Sequence, residues 1–215
     1  MNSERLIAHA VTALNSDGCL IYPTETFYAL GASILSKQAI ERISRIKLRP
    51  REKPLPLIIG SWQQIFQITE VISPELKLLA YNFWPGPLSI LVPAKDWLHY
   101  CLKDGLGNVC LRLTSHPIAT RLCQSLGTAL ISTSANKTGC PEVNRSSQID
   151  ADLRTYVDSV IDLPPQPKGG LPSTIVDIVH SKVVRIIRPG AISMGKIRNL
   201  GLNVQTDLTI TGKDV

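Results

Sequence analysis

The chain has 215 residues, enough to bury a substantial core as one large domain or two small ones. Its 44% hydrophobic content is that of an ordinary globular protein, and no apolar run approaches the ~20 residues of a membrane span. The formal charge of +6 favours anionic partners, either phosphate-bearing ligands or nucleic acid, without choosing between them. Five cysteines and four histidines are scattered without paired spacing, which argues against a disulfide frame and against metal held by histidine or cysteine. The start, Met1-Asn2-Ser3-Glu4-Arg5, lacks the cationic and apolar segments of a signal peptide, so a cytoplasmic location is expected.

Residues 3–15 place Leu6, Ile7, Ala10, Val11 and Leu14 on one face, predicting an amphipathic helix that ends at Asn15-Ser16-Asp17-Gly18. Cys19–Tyr22 reads as a buried strand, broken by the hydroxyl-rich corner Pro23-Thr24-Glu25-Thr26, and 28–32 as a second short strand. Ser36 then caps a helix with Ile40, Ile43 and Ile46 as its apolar stripe. It runs into Lys47-Leu48-Arg49-Pro50-Arg51-Glu52-Lys53-Pro54, where Pro50 and Pro54 forbid continuation. Four cations thus lie on a stiffened loop before the apolar strand 55–59. Such a loop is either a solvated surface charge run or a pre-ordered receptor for a polyanion.

Ser61 starts a short helix to Ile68, and Ser73-Pro74-Glu75 a helix to Phe83. Trp84-Pro85-Gly86-Pro87 turns into the strand 88–92, and residues 94–107 read as a loop. Strand 109–113 carries one charge, Arg112. Ser115 is the expected cap of a helix stopped by Gly127. Strand 129–132 leads into Thr133-Ser134-Ala135-Asn136, residues 146–155 are weakly helical, and 157–161 returns to strand. After a loop over 163–171, the segments 174–178 and 183–187 read as paired strands closed by Arg188-Pro189-Gly190. Short apolar strands with intervening helices define an α/β or α+β domain built on a mixed sheet.

Neither a G-x-x-x-x-G-K-[ST] loop nor a strand-linked G-x-G-x-x-G is present. Instead Thr26, Arg112, Ser134 and Asn136 sit on or just after apolar strands, where a scaffold fixes side chains beside adaptable loops. The hydroxyl and amide run around Ser134 is either a strand-capping turn or a donor cluster for phosphate or carboxylate oxygens.

Lys47-Leu48-Arg49-Pro50 matches a K-x-R-P motif and Ser134-Ala135-Asn136 an S-x-N motif. Together with Pro23-Thr24-Glu25-Thr26, Trp84-Pro85-Gly86-Pro87, Arg112, Ser173-Thr174-Ile175-Val176-Asp177 and Arg188-Pro189-Gly190, they make residues 5 to 192 resemble the YrdC/Sua5 family. The resemblance implies a single-domain, twisted, open mixed sheet flanked by helices, with a concave basic face, over residues 1–192. Residues 193–215 are an extension to which it assigns no role. It also implies an L-threonylcarbamoyladenylate synthase, which makes threonylcarbamoyl-AMP and pyrophosphate from L-threonine, bicarbonate and ATP. A separate tRNA threonylcarbamoyl-transferase machinery would then use the product at adenosine 37. The alternative is a non-catalytic YciO-like binder of double-stranded RNA or tRNA.

By the same resemblance Lys47 and Arg49 are the catalytic pair and hold the triphosphate, with Lys53 reaching the outer phosphates. Ser134 and Asn136 contact the nucleotide near its α-phosphate, and Arg188 lies on the nucleotide side. Thr26, Arg112 and Ser173 surround L-threonine, with Arg112 as carboxylate partner, a role its planar fork suits. Magnesium is expected to travel on the ATP phosphates, with no protein side chain as ligand. Two positions depart from the family pattern. Ala29 replaces a usual glycine, and Ile58 stands where longer members have a threonine-contacting histidine.

Overall fold

The computed structural model describes residues 3–48 and 53–206. Arg49, together with Pro50, Arg51 and Glu52, lies outside the described residues. The first helix α1 (Ser3–Asn15) leads through β1 (Cys19–Pro23) and β2 (Tyr28–Ala32) to α2 (Lys37–Ile46) and β3 (Leu57–Ile59). A 3-10 turn precedes α3 (Ile65–Ile68), followed by α4 (Pro74–Phe83), β4 (Leu88–Pro93), β5 (Asn108–Leu113), α5 (Pro117–Leu126), β6 (Leu130–Ile131) and β7 (Thr133–Ser134). The remainder is α6 (Ala151–Thr155), β8 (Ser159–Val160), β9 (Thr174–His180), β10 (Val183–Arg188), α7 (Met194–Arg198) and β11 (Asn203–Thr206).

Several boundaries follow from single residues. The Ser36 hydroxyl accepts from the Ala39 amide and starts α2, whose Ile40 and Ile43 are buried. Ser73 caps α4 in the same way, with Pro74 in the first turn. For α5 the cap is His116 rather than the expected Ser115. Pro117 fixes the first helical position one residue later, and the His116 amide donates to Thr114 Oγ1. β3 starts at Leu57 rather than Leu55, because Pro56 has no amide hydrogen for the ladder.

Instead of one sheet, the strands form two mixed sheets within a single domain. One is ordered β7-β2-β1-β8 and the other β11-β10-β9-β4-β5-β3-β6. The expected strand 129–132 divides at Ser132. β6 pairs antiparallel with β3, whereas β7 pairs antiparallel with β2. The Ser132 amide meanwhile donates to Pro56 O, and Ser33 bridges to Leu130. This one segment therefore stitches the two sheets along a seam. Apolar residues of both sheets, α2 and α4 form the larger core, and α1 and α5 cover a second cluster around Leu20, Tyr22, Ile58 and Leu130.

Residues 193–206 also join the main body. Ser193 caps α7, β11 pairs parallel with β10, and Ile197, Leu202 and Val204 are buried in the larger core.

The seam leaves no room beside Gly31. A Cβ there would lie 2.1 Å from Ile131 O and 2.7 Å from the Tyr22 ring, whose hydroxyl donates to that same carbonyl at 2.7 Å. Gly31→Ala is expected to lower stability by about 3 kcal/mol, read as a reduced midpoint of urea denaturation.

Candidate active site

Lys47 is the C-cap of α2, and its side chain turns inward, with the residue 5% exposed. Its Nζ donates to Ser134 O at 3.0 Å, Asn136 O at 2.6 Å and Asn136 Oδ1 at 2.9 Å. An ammonium carries three donors, and three protein oxygens lie within hydrogen-bond reach of this one. Ser134 Oγ donates to the same Asn136 Oδ1 at 2.7 Å, and Asn136 Nδ2 donates to Cys140 O. The K-x-R-P and S-x-N motifs, 87 residues apart, thus share one hydrogen-bonded node directly after the seam. The Ala135 amide adds a bond to Tyr28 O, and Ala29 pairs with Ser134 across the β2–β7 ladder.

A second group lies on one face of the larger sheet. Alternation along β5 sends Val109 and Leu111 into the larger core and Arg112 to the opposite face. Its register neighbour on β3 is Ile58, and Ile90 opposite Leu111 puts Ser89 beside it on β4. Ser89 in turn pairs with Ile175 of β9 and lies 3.1 Å, oxygen to oxygen, from Ser173. Arg188 reaches this face through a bulge. Ile186 pairs with Val176, but Arg188 pairs with Ile175, so the irregularity at Ile187 re-aims the arginine. Its Nη2 donates to Ser173 O at 2.6 Å and Ser173 Oγ at 3.0 Å, while Nε bonds the same carbonyl at 3.2 Å. Burial pushes the Arg188 guanidinium down from its ordinary value; Cys110 and Glu142 oppose that shift and the like charge of Arg112 adds to it.

Across from this row stands Glu25. Arg112 Nη1 donates to Glu25 Oε1 at 2.6 Å and Thr114 Oγ1 to Glu25 Oε2 at 2.7 Å. The Arg112 and Glu25 side chains are only 7% and 9% exposed, so this is an interior ion pair. Thr26 follows directly, buried, with its carbonyl accepting from the Gly169 amide at 2.8 Å. That contact brings the 163–172 loop over the corner. Pro165 O lies 2.9 Å from His116 Nε2, and the Tyr28 hydroxyl lies 2.8 Å from Asp162 Oδ1 and 2.7 Å from Gln166 Oε1. Burial pushes the His116 imidazole down, favouring a neutral ring whose Nε2–H donates to that carbonyl. Burial, aided by the Asp162 carboxylate, pushes the Tyr28 hydroxyl up, so it stays a protonated donor.

The structure thus groups Lys47, Ser134 and Asn136 at one node, and Arg112, Ser173 and Arg188 in one row. Thr26 lies between them on the 25–30 stretch that supplies both Glu25 and Ala29. Lys53 is exposed, and Arg49 is outside the described residues. Glu25, Ser89 and Thr114 are contributors that the sequence did not single out as site residues. The available signals were an acid inside the Pro-Thr-Glu-Thr corner and a serine interrupting an apolar strand. Among the described residues, no group of three or more His, Cys, Asp or Glu is placed to hold a metal ion.

A family profile described as Telomere recombination, for Sua5, YciO and YrdC, matches residues 12–190. The chain belongs to the Sua5/YciO/YrdC family. Among relatives of this family member, a threonylcarbamoyl-AMP synthase of Chromobacterium violaceum is 35% identical, the match covering 85% of this chain and 93% of that protein. A threonylcarbamoyl-AMP synthase of Pyrococcus abyssi is 30% identical over 90% of this chain, but only 56% of that longer protein is covered. The crystal structure of P. abyssi Sua5 complexed with L-threonine superposes with a TM-score of 0.90 at 28% identity, covering 100% of this chain and 62% of that one.

Removing the Lys47 ammonium would take the donor from the Ser134 and Asn136 carbonyls and one of two donors from Asn136 Oδ1. Lys47→Met keeps the bulk and is expected to cost roughly 3 kcal/mol of stability. Urea denaturation checks it, with faster amide exchange expected across 134–138.

Proposed function

We propose that this member of the Sua5/YciO/YrdC family is a threonylcarbamoyl-AMP synthase, joining L-threonine, bicarbonate and ATP into threonylcarbamoyl-AMP with release of pyrophosphate. The observation that carries the reading is the convergence of the two family motifs on one buried ammonium, Lys47 bonded to Ser134 and Asn136. The named relatives support it, the Chromobacterium violaceum enzyme over nearly its whole length.

The reaction joins anions. The threonine amine takes up carbon dioxide or bicarbonate to become a carbamate, a carbamate oxygen attacks the α-phosphorus, and the bond to pyrophosphate breaks. The chief obstacles are mutual repulsion and alignment, so the protein needs fixed positive charge and donors more than a nucleophile. Lys47 holds the S-x-N turn in shape and puts positive charge where a phosphate can meet it, with little water to screen it. Arg112, with donors beyond the one given to Glu25, suits the amino-acid carboxylate, while Arg188 fixes Ser173 beside it. In this reading Arg49 and Lys53 add charge along the triphosphate, and Thr26 lines the amino-acid side.

Magnesium belongs to the proposal as the companion of ATP. The side chains gathered here are cations and hydroxyls, and the neighbouring acid, Glu25, is already held by Arg112 and Thr114. Such a donor set suits phosphate rather than a protein-bound cation. Carried by the triphosphate, the ion would neutralise charge developing on the leaving pyrophosphate. The product would pass to a transferase acting on tRNA, in the cytoplasm where that RNA is found; no helix among the described residues is long and apolar enough to cross a membrane.

Incubation with ATP, magnesium, bicarbonate and either L-threonine or L-serine tests this directly, following pyrophosphate and the adenylate product. Threonine-dependent pyrophosphate release is expected, reduced ~100-fold or more in Lys47→Ala. Release that ignores threonine, or near-normal turnover in that variant, would defeat the assignment.

A further inference from the structure

The Arg112–Glu25 pair is not explained by folding. Replacing a buried ion pair with apolar residues of similar size is often neutral or stabilising, so a gain in stability is a weak reason for keeping one. Nor does the protein use the full hydrogen-bonding capacity of the pair. Glu25 receives one hydrogen bond on each oxygen, where a carboxylate accepts about four in all. Arg112 gives one of its five N–H donors to Glu25. His116 and Tyr22 stand close enough to feel the Glu25 charge, but they hydrogen-bond elsewhere, to Pro165 O and Ile131 O. Unused capacity of both signs, side by side and largely out of water, is the complement of a small molecule carrying both charges on neighbouring atoms.

We propose that Glu25 binds the α-ammonium group of the amino-acid substrate, so that Glu25 and Arg112 together form a receptor for an amino-acid zwitterion. This rests on the synthase reading and adds an order of events to it. The amino acid enters with its amine not yet carboxylated, because Glu25 attracts an ammonium and repels a carbamate. Carboxylation on the protein then balances as ammonium plus bicarbonate giving carbamate, water and one proton. The N–C bond forms and the C–OH bond of bicarbonate breaks. Of the two protons lost by nitrogen, one leaves with the hydroxide as water and the other goes to solvent. Attraction at Glu25 turns into repulsion in that step, which directs the new carbamate away from Glu25 and toward the cations on the nucleotide side, while the substrate carboxylate stays with Arg112. Thr114, bonded to the second Glu25 oxygen, is a positioning residue for this switch.

The test is a binding titration comparing L-threonine with 3-hydroxybutanoate, which keeps the carboxylate and hydroxyl but has hydrogen in place of the amine. The wild type is expected to favour threonine by roughly ten- to a hundredfold, the range of a charge-assisted hydrogen bond. Glu25→Gln, which keeps the shape and an acceptor, should shrink the ratio to about threefold or less. It should also raise KM for threonine without changing KM for ATP, whereas Glu25→Asp should retain the preference. An undiminished ratio in a folded Glu25→Gln, or a wild type binding both ligands equally, overturns the proposal while leaving the synthase reading intact. No threonine binding at all by the wild type overturns both. The wild-type comparison stands even if Glu25→Gln fails to fold.

Discussion

Taking an ammonium out of water costs several kcal/mol unless acceptors replace its hydration shell. Lys47 meets that requirement with three oxygens, two of them backbone carbonyls of the 134–136 turn. Those carbonyls are in place because β6 and β7 divide at Ser132 and lie along the seam of the two sheets. The end of α2, the seam and the S-x-N turn are therefore mutually dependent, and a fault in any one leaves buried polar groups without partners. Close approach of the backbones at Gly31 is part of the same construction.

The second polar group is fixed by sheet register. Arg112, Ser89 and Arg188 come from three strands and Ser173 directly precedes a fourth, β9, and they align because parallel and antiparallel pairings alternate in a fixed order from β5 to β10. The bulge at Ile187 turns what would be a core-facing position outward. The two polar groups are joined by residues 25–30, which supply Glu25 to one and pair Ala29 with Ser134 at the other. Ala29 sits in that ladder, and Ile58, buried in the second core cluster, is the register neighbour of Arg112.

Local sequence was sufficient for most elements. The cap at Ser36, the serine–proline start of α4 and the glycine stop after α5 each act within one helical turn, and the structure has all three. The two motifs also named the residues of the Lys47 node, since motif spacing records which positions matter even when it says nothing of their contacts. Ser115 shows the limit: a local cap signal yielded to Pro117 one step further along. The 193–206 stretch shows it again, because its polar composition hides the three apolar residues that anchor it.

Sequence alone thus determined helices, most strands, the mixed α/β class and the family, because those depend on periodicity, capping and motif order along a short reach of chain. Only the tertiary structure decided the division into two sheets, the single alignment of Arg188 with Arg112, and the partnership of Arg112 with Glu25. Each of these depends on register between strands distant in sequence, where shifting a pairing by one residue sends a side chain to the opposite face.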